Sequence, residues 1–158
     1  MKILINGVTA KMGGAITYIN NLLPLISKNP RASGDEFIFY LPSSGIKIPD
    51  NLAPNIIIRK TRIGRRSLQR FFLWQQIVLP YIIRKEKIDV LFSLANFATL
   101  FCPCPQLLLI RNALYFSEFY SNEILPKKSL SAKIEFFLRR FLIFLSICVF
   151  LFNRITSN

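Results

Sequence analysis

Gly7, Gly13 and Gly14 stand where a chain could cradle a phosphate group. Lys2 to Asn6 reads as a short buried strand and Gly7 to Gly14 as a loop. From Ala15 the apolar positions Ile16, Ile19, Leu22, Leu23 and Ile26 recur at helical spacing. Glycines just ahead of a helix let backbone N–H groups approach an anion, and the helix N-terminus adds partial positive charge. The spacing fits neither G-x-G-x-x-G nor G-x-x-x-x-G-K-[ST], so both familiar nucleotide fingerprints fail. What remains is an anion-binding turn at Gly13, Gly14 and Ala15. The competing reading is a strand-to-helix turn that needs positive φ and binds nothing.

Two further groups could do chemistry. Between residues 59 and 87 lie Arg59, Lys60, Arg62, Arg65, Arg66, Arg70, Arg84, Lys85 and Lys87, with Glu86 as the single acid. Phe71, Phe72, Trp74, Ile77, Val78, Tyr81 and Ile82 are interleaved with them. A helix with a basic end and an aromatic face can lie on an anionic membrane, with Arg62, Arg65, Arg66 and Arg70 at its surface. The competing reading makes most of those aromatics core. The other group is Asn96, Arg111 and Asn112, which follow strand-like runs. Ligands of open α/β sheets sit outside the carboxyl ends of the strands, where Arg and Asn anchor phosphate or sugar hydroxyls. The alternative there is an ion pair for Arg111 and a turn cap for Asn112.

Composition narrows the chemistry. The chain has 158 residues, 21 Lys and Arg against 8 Asp and Glu, and a net charge of +13. Phosphate-bearing partners are therefore favoured. No nucleic-acid motif accompanies the charge, so nucleic acid is not expected. The absence of His removes imidazole bases, Ser-His-Asp triads and His-based metal sites. The acids are scattered, so no catalytic base is nominated, and neither metal nor cofactor is expected. Cys102 and Cys104 form Cys-Pro-Cys, which is not the C-x-x-C spacing of redox or zinc motifs. With Cys148 the count is odd, and the N-terminus has no apolar leader, so reduced cytoplasmic thiols are expected.

The elements that must position these residues alternate in type. Strands are expected at 36–42, 56–60, 88–94 and 105–112, besides the first. A long helix is expected over 65–87, with Ser67 as N-cap and an interruption at Pro80, and Pro24 should kink or weaken the first helix. The near-continuous apolar runs fit a parallel sheet buried on both faces by helices, an α/β, Rossmann-like arrangement. The tail from residue 131 begins as an amphipathic helix. From Phe141 to Phe152 it then runs twelve residues without a charge, short of the roughly 20 needed to span a bilayer. The expected division is a domain over 1–130 and an irregular apolar helical tail over 131–158.

Three segments carry a resemblance: "MKILINGVTAKMGGAITYINNLLPLI", "IDVLFSLANFATLFCPCPQLLLIRNALYFS" and the strand order between them. Over roughly residues 1 to 140 the chain resembles the N-terminal domain of a GT-B-fold glycosyltransferase of the family 4, or group 1, type. The resemblance implies the acceptor-side half of an enzyme that moves a sugar from a nucleotide diphosphate sugar to a lipid-linked or polysaccharide acceptor. It places Gly13 and Gly14 toward the donor diphosphate. It also implies a cytoplasmic protein, peripheral at the inner face of the cell membrane. The chain departs from the family in lacking Glu-x7-Glu, and in holding Arg111 and Asn112 where some relatives have His or Asp. The length and the apolar tail raise the expectation of a truncated or frame-shifted product. Two rival readings are a non-catalytic basic module on anionic membranes and a dinucleotide oxidoreductase. The absent G-x-G-x-x-G, and the lack of an acid at the end of the second strand, disfavour the oxidoreductase.

Overall fold

Five short strands in this computed structural model form one all-parallel sheet of order β3-β2-β1-β4-β5. The structure describes residues 1–10, 13–63, 68–94, 96, 98–110 and 113–156. The strands are β1 (Lys2–Asn6), β2 (Glu36–Pro42), β3 (Ile56–Thr61), β4 (Val90–Ser93) and β5 (Gln106–Leu108). Helix α1 (Gly14–Lys28) joins β1 to β2. Helices α2 (Leu68–Leu73) and α3 (Leu79–Lys85), linked by a π-helical turn (Trp74–Val78), precede β4. The long α4 (Leu130–Thr156) follows β5. The chain is thus α/β and Rossmann-like, and its strand order reverses between β1 and β4.

Each face of the sheet has its own core. Ala15, Ile19 and Leu23 recur every fourth residue along α1, so they share one side and meet Ile5, Phe37, Phe39 and Leu41. On the opposite face Leu4, Ile38, Tyr40 and Leu91 are covered by Phe71, Leu79 and Ile83 of the α2–α3 unit and by Phe136 and Ile143 of α4. Burial of each such large side chain contributes roughly 1.5–3 kcal/mol. Gly7, just past β1, is required by the α1 packing. A Cβ there would stand 2.6 Å from Ile19 Cδ1 and 3.1 Å from Leu41 Cδ2.

The second helical stretch is interrupted at Pro80 as expected: α2 ends at Leu73, a π turn intervenes, and α3 begins with Pro80 in its first turn. Pro80 sets the form of the interruption. It lacks the N–H that would bond four residues back, and its ring crowds that carbonyl. The chain answers with a π turn, in which Leu79 N–H reaches Trp74 O, five residues back, and the helical path continues. A second π turn (Tyr120–Ile124) stands just ahead of Pro126 in the same relation. Helix α1 likewise runs through Pro24 to Lys28. The expected N-cap Ser67 lies outside the described residues.

Two strands are shorter than the apolar runs that announce them. The run 88–94 loses its first residues to the end of α3. Lys87 turns left-handed (φ 53°) and Ile88 N–H bonds back to Ile83 O at 3.0 Å, a Schellman-type close. Among the described residues of the run 105–112, β5 covers Gln106–Leu108, because β4, on which it pairs, ends at Ser93. Asp89 ties the two central strands together, its carboxylate accepting from Lys2 N–H at 2.6 Å.

Candidate functional site

The strand order reverses between β1 and β4, which pair side by side, and in open α/β sheets ligands sit outside the carboxyl ends of the strands at such a point. The glycine loop lies beside it. Gly13 has φ 60° and ψ −145°, a conformation almost confined to glycine. Open space surrounds it, since nothing lies within 4 Å of a Cβ built there, so the backbone path alone demands the glycine. Gly13 is also the N-cap of α1. It offers no side-chain cap, and the first turn contains no acid. The amides of Gly14 and Ala15 thus head a 15-residue helix whose positive end carries no carboxylate. Earlier in the loop, Thr9 Oγ1 is buried without a hydrogen bond.

On the other face a polar row crosses the sheet at the same level. Strand register aligns Arg59, Tyr40, Asn6 and Ser93 on β3, β2, β1 and β4 in turn. Arg59 donates to Tyr40 Oη at 2.8 Å and pairs with Glu86. The hydrogen bond to Glu86, then that to Tyr40, raises the guanidinium above its ordinary value, and the row ends outward in this ion pair. Inward, Asn6 and Ser93 are fully buried, and Asn6 Nδ2, Asn6 Oδ1 and Ser93 Oγ make no hydrogen bond within the chain. Neither residue stands out in the sequence as a candidate. The available signal was a polar residue ending an otherwise apolar run in two separate strands. Alternation places Asn6 with Leu4, facing away from α1, so the row lies on the face of the sheet opposite α1.

Asn96 follows β4 as expected of a strand-end residue, in a left-handed conformation (φ 66°) and half-buried. Arg111 and Asn112 lie outside the described residues. The π turn holds the neighbouring connection: Gln76 donates to Ala98 O at 2.9 Å and accepts from Leu100 N at 2.8 Å.

The basic segment divides. Arg62 and Arg70 stand at an open groove of about 550 Å³ whose walls include Ile63, Leu73, Trp74, Ile77 and Val78. Ile77 is 64 % and Leu73 55 % exposed, whereas Phe71 and Gln75 are buried. The apolar side chains of this segment therefore split between core and solvent. Arg65 and Arg66 lie outside the described residues. Among the described residues no helix is long and apolar enough to cross a membrane.

Comparison with family models, with curated proteins and with solved structures gives no match.

Proposed function

We propose that the chain supplies the acceptor-side half of a glycosyltransferase that moves a sugar from a nucleotide diphosphate sugar to a lipid-linked or polysaccharide hydroxyl. One observation carries this reading: the strand-order reversal coincides with a glycine turn that heads an uncapped helix. The diphosphate leaving group gains negative charge as the sugar departs, and amides fixed at a helix N-terminus stabilise that charge without reorganising. The acceptor would approach from the side of Asn96 and the polar row. The resemblance over residues 1–140 points the same way. Titration with inorganic diphosphate and with a panel of nucleotide diphosphate sugars tests it. Weak saturable binding, lost on Gly13→Val, is expected, with negligible turnover by this chain alone. A folded chain that binds none of them overturns the reading. Saturable binding of a nicotinamide dinucleotide instead would favour the oxidoreductase alternative.

A second reading rests on the groove at Arg62 and Arg70. An exposed apolar trough with two guanidinium groups at its edge suits acyl chains beneath anionic headgroups. We infer a peripheral position on an anionic membrane, at the cytoplasmic face, either as the site of sugar transfer or as a binding function by itself. Co-sedimentation with phosphatidylglycerol vesicles that falls with salt supports it; equal binding to neutral vesicles counts against it.

A further inference from the structure

The connection from β4 to β5 carries Cys102-Pro103-Cys104-Pro105, and nothing in the sugar-transfer reading uses its thiols. The two Sγ atoms are 3.8 Å apart. Both cysteines are free and half-buried, so each sulfur packs on the apolar cluster while part of the side chain reaches solvent. A disulfide needs about 2.05 Å between sulfurs, a closure that small side-chain rotations can supply.

The contact is held by its surroundings. Gln76 clamps Ala98 and Leu100 on one side of the pair. Gln106 exchanges two hydrogen bonds with Thr99, one to its N–H and one to its carbonyl, and draws the connection into a loop. On the far side Pro105 O accepts from Leu91 N–H at 3.0 Å, which fixes the exit onto the sheet. Pro103 and Pro105 have restricted φ and no N–H, so the Cys-Pro-Cys segment has few other shapes to adopt. The sulfurs are therefore neighbours by construction, and closing the pair costs little chain entropy.

We propose that Cys102 and Cys104 form a thiol–disulfide exchange site whose oxidising substrate is a low-molecular-weight disulfide of the glutathione class. Cys102 is the attacking sulfur. Once Cys102 is ionised the Cys104 S–H can donate to it, a contact that lowers the Cys102 pKa, while the same contact and burial push the Cys104 thiol up. The Cys102 thiolate attacks one sulfur of the small disulfide, whose S–S bond breaks to release one thiolate. Cys104 then gives its proton to water, and its sulfur attacks Cys102 Sγ and displaces the second small thiolate. Two protein thiols and one small disulfide become one protein disulfide and two small thiols. Two electrons pass from the protein to the small molecule. The ring closed by cysteines one residue apart is small and strained, so it is readily opened again and the exchange runs in both directions.

The test uses the full chain carrying Cys148→Ser, so that only this pair can react. The protein is equilibrated without oxygen in glutathione buffers of graded redox poise, then acid-quenched for intact mass and thiol count. The expected result is loss of both thiols together, with the mass falling by two hydrogens and no lasting glutathione adduct. Cys104→Ser should stop at a stable mixed disulfide on Cys102. Cys102→Ser should likewise stop at a stable mixed disulfide, on Cys104, because no second thiol is left to displace it. Circular dichroism confirms that each variant is folded. The proposal is overturned if the pair stays reduced in excess glutathione disulfide, or if each thiol takes up its own glutathione.

Discussion

Asn6→Leu should make this protein more stable. Asn6 ends β1 between Tyr40 and Ser93, fully buried, with its amide nitrogen and oxygen both lacking a hydrogen bond within the chain. Mutational data put the burial of such an unpaired polar group at about 1–3 kcal/mol. Leucine branches at Cγ as asparagine does and occupies a similar volume, so the overpacking penalty is small. Its methyl groups would join Leu4, Val8 and Leu91 on the same face. The net expectation is a gain of about 1–3 kcal/mol, which for a chain of this size raises Tm by about 3–9 °C. Urea unfolding followed by circular dichroism measures the free energy, and scanning calorimetry measures Tm. Diphosphate binding should survive, because this side chain faces away from α1 and the glycine loop. A variant less stable than the parent by more than about 1 kcal/mol would refute the reasoning, since it would mean that the amide is satisfied and holds the sheet together.

Other perturbations separate the elements of the site. Gly13→Ala should cost about 1–3 kcal/mol in urea unfolding through backbone strain alone, whereas Gly14→Ala, without positive φ, should stabilise by about 0.4–1 kcal/mol. Gly7→Ala should destabilise by about 1–3 kcal/mol by pushing against Ile19 and Leu41, and Ile19→Val in the same chain should restore part of the loss. Gln76→Ala should cost about 1–3 kcal/mol by removing the hydrogen bonds to Ala98 O and from Leu100 N–H, and amide exchange should speed up at Leu100. Arg62→Gln with Arg70→Gln should weaken partitioning onto phosphatidylglycerol vesicles by about 1 kcal/mol per charge removed, roughly thirtyfold together; unchanged partitioning would place membrane contact elsewhere.

Much of this fold was legible in the chain. β1 and β2 were readable to the residue, because central strands buried on both faces must be apolar throughout and are bounded by turn-forming residues. The face of α1 was readable from the spacing of Ile19 and Leu23. Edges were less legible: β5 stops where its neighbour stops, and no local signal marks the end of a partner strand. The interruption at Pro80 was legible because proline's cost is local, whereas its form, a π turn that keeps the path helical, depends on packing that is not.

The site divides along the same line. The sequence by itself determined that this protein is α/β, strongly basic and free of imidazole chemistry, and that its glycine turn enters a helix, since each follows from residue type and local spacing. Only the tertiary structure decided that β1 and β4 lie side by side where the strand order reverses, and that Asn6 and Ser93 meet there unpaired. It also brought Arg62 and Arg70 to one groove, and it anchored the Cys102–Cys104 contact on Gln76 and Gln106. The Asn6–Ser93 and Gln76–Leu100 pairings join segments tens of residues apart. They are set by strand register and helix packing, which depend on the burial of the whole chain and leave no trace in any single stretch of it.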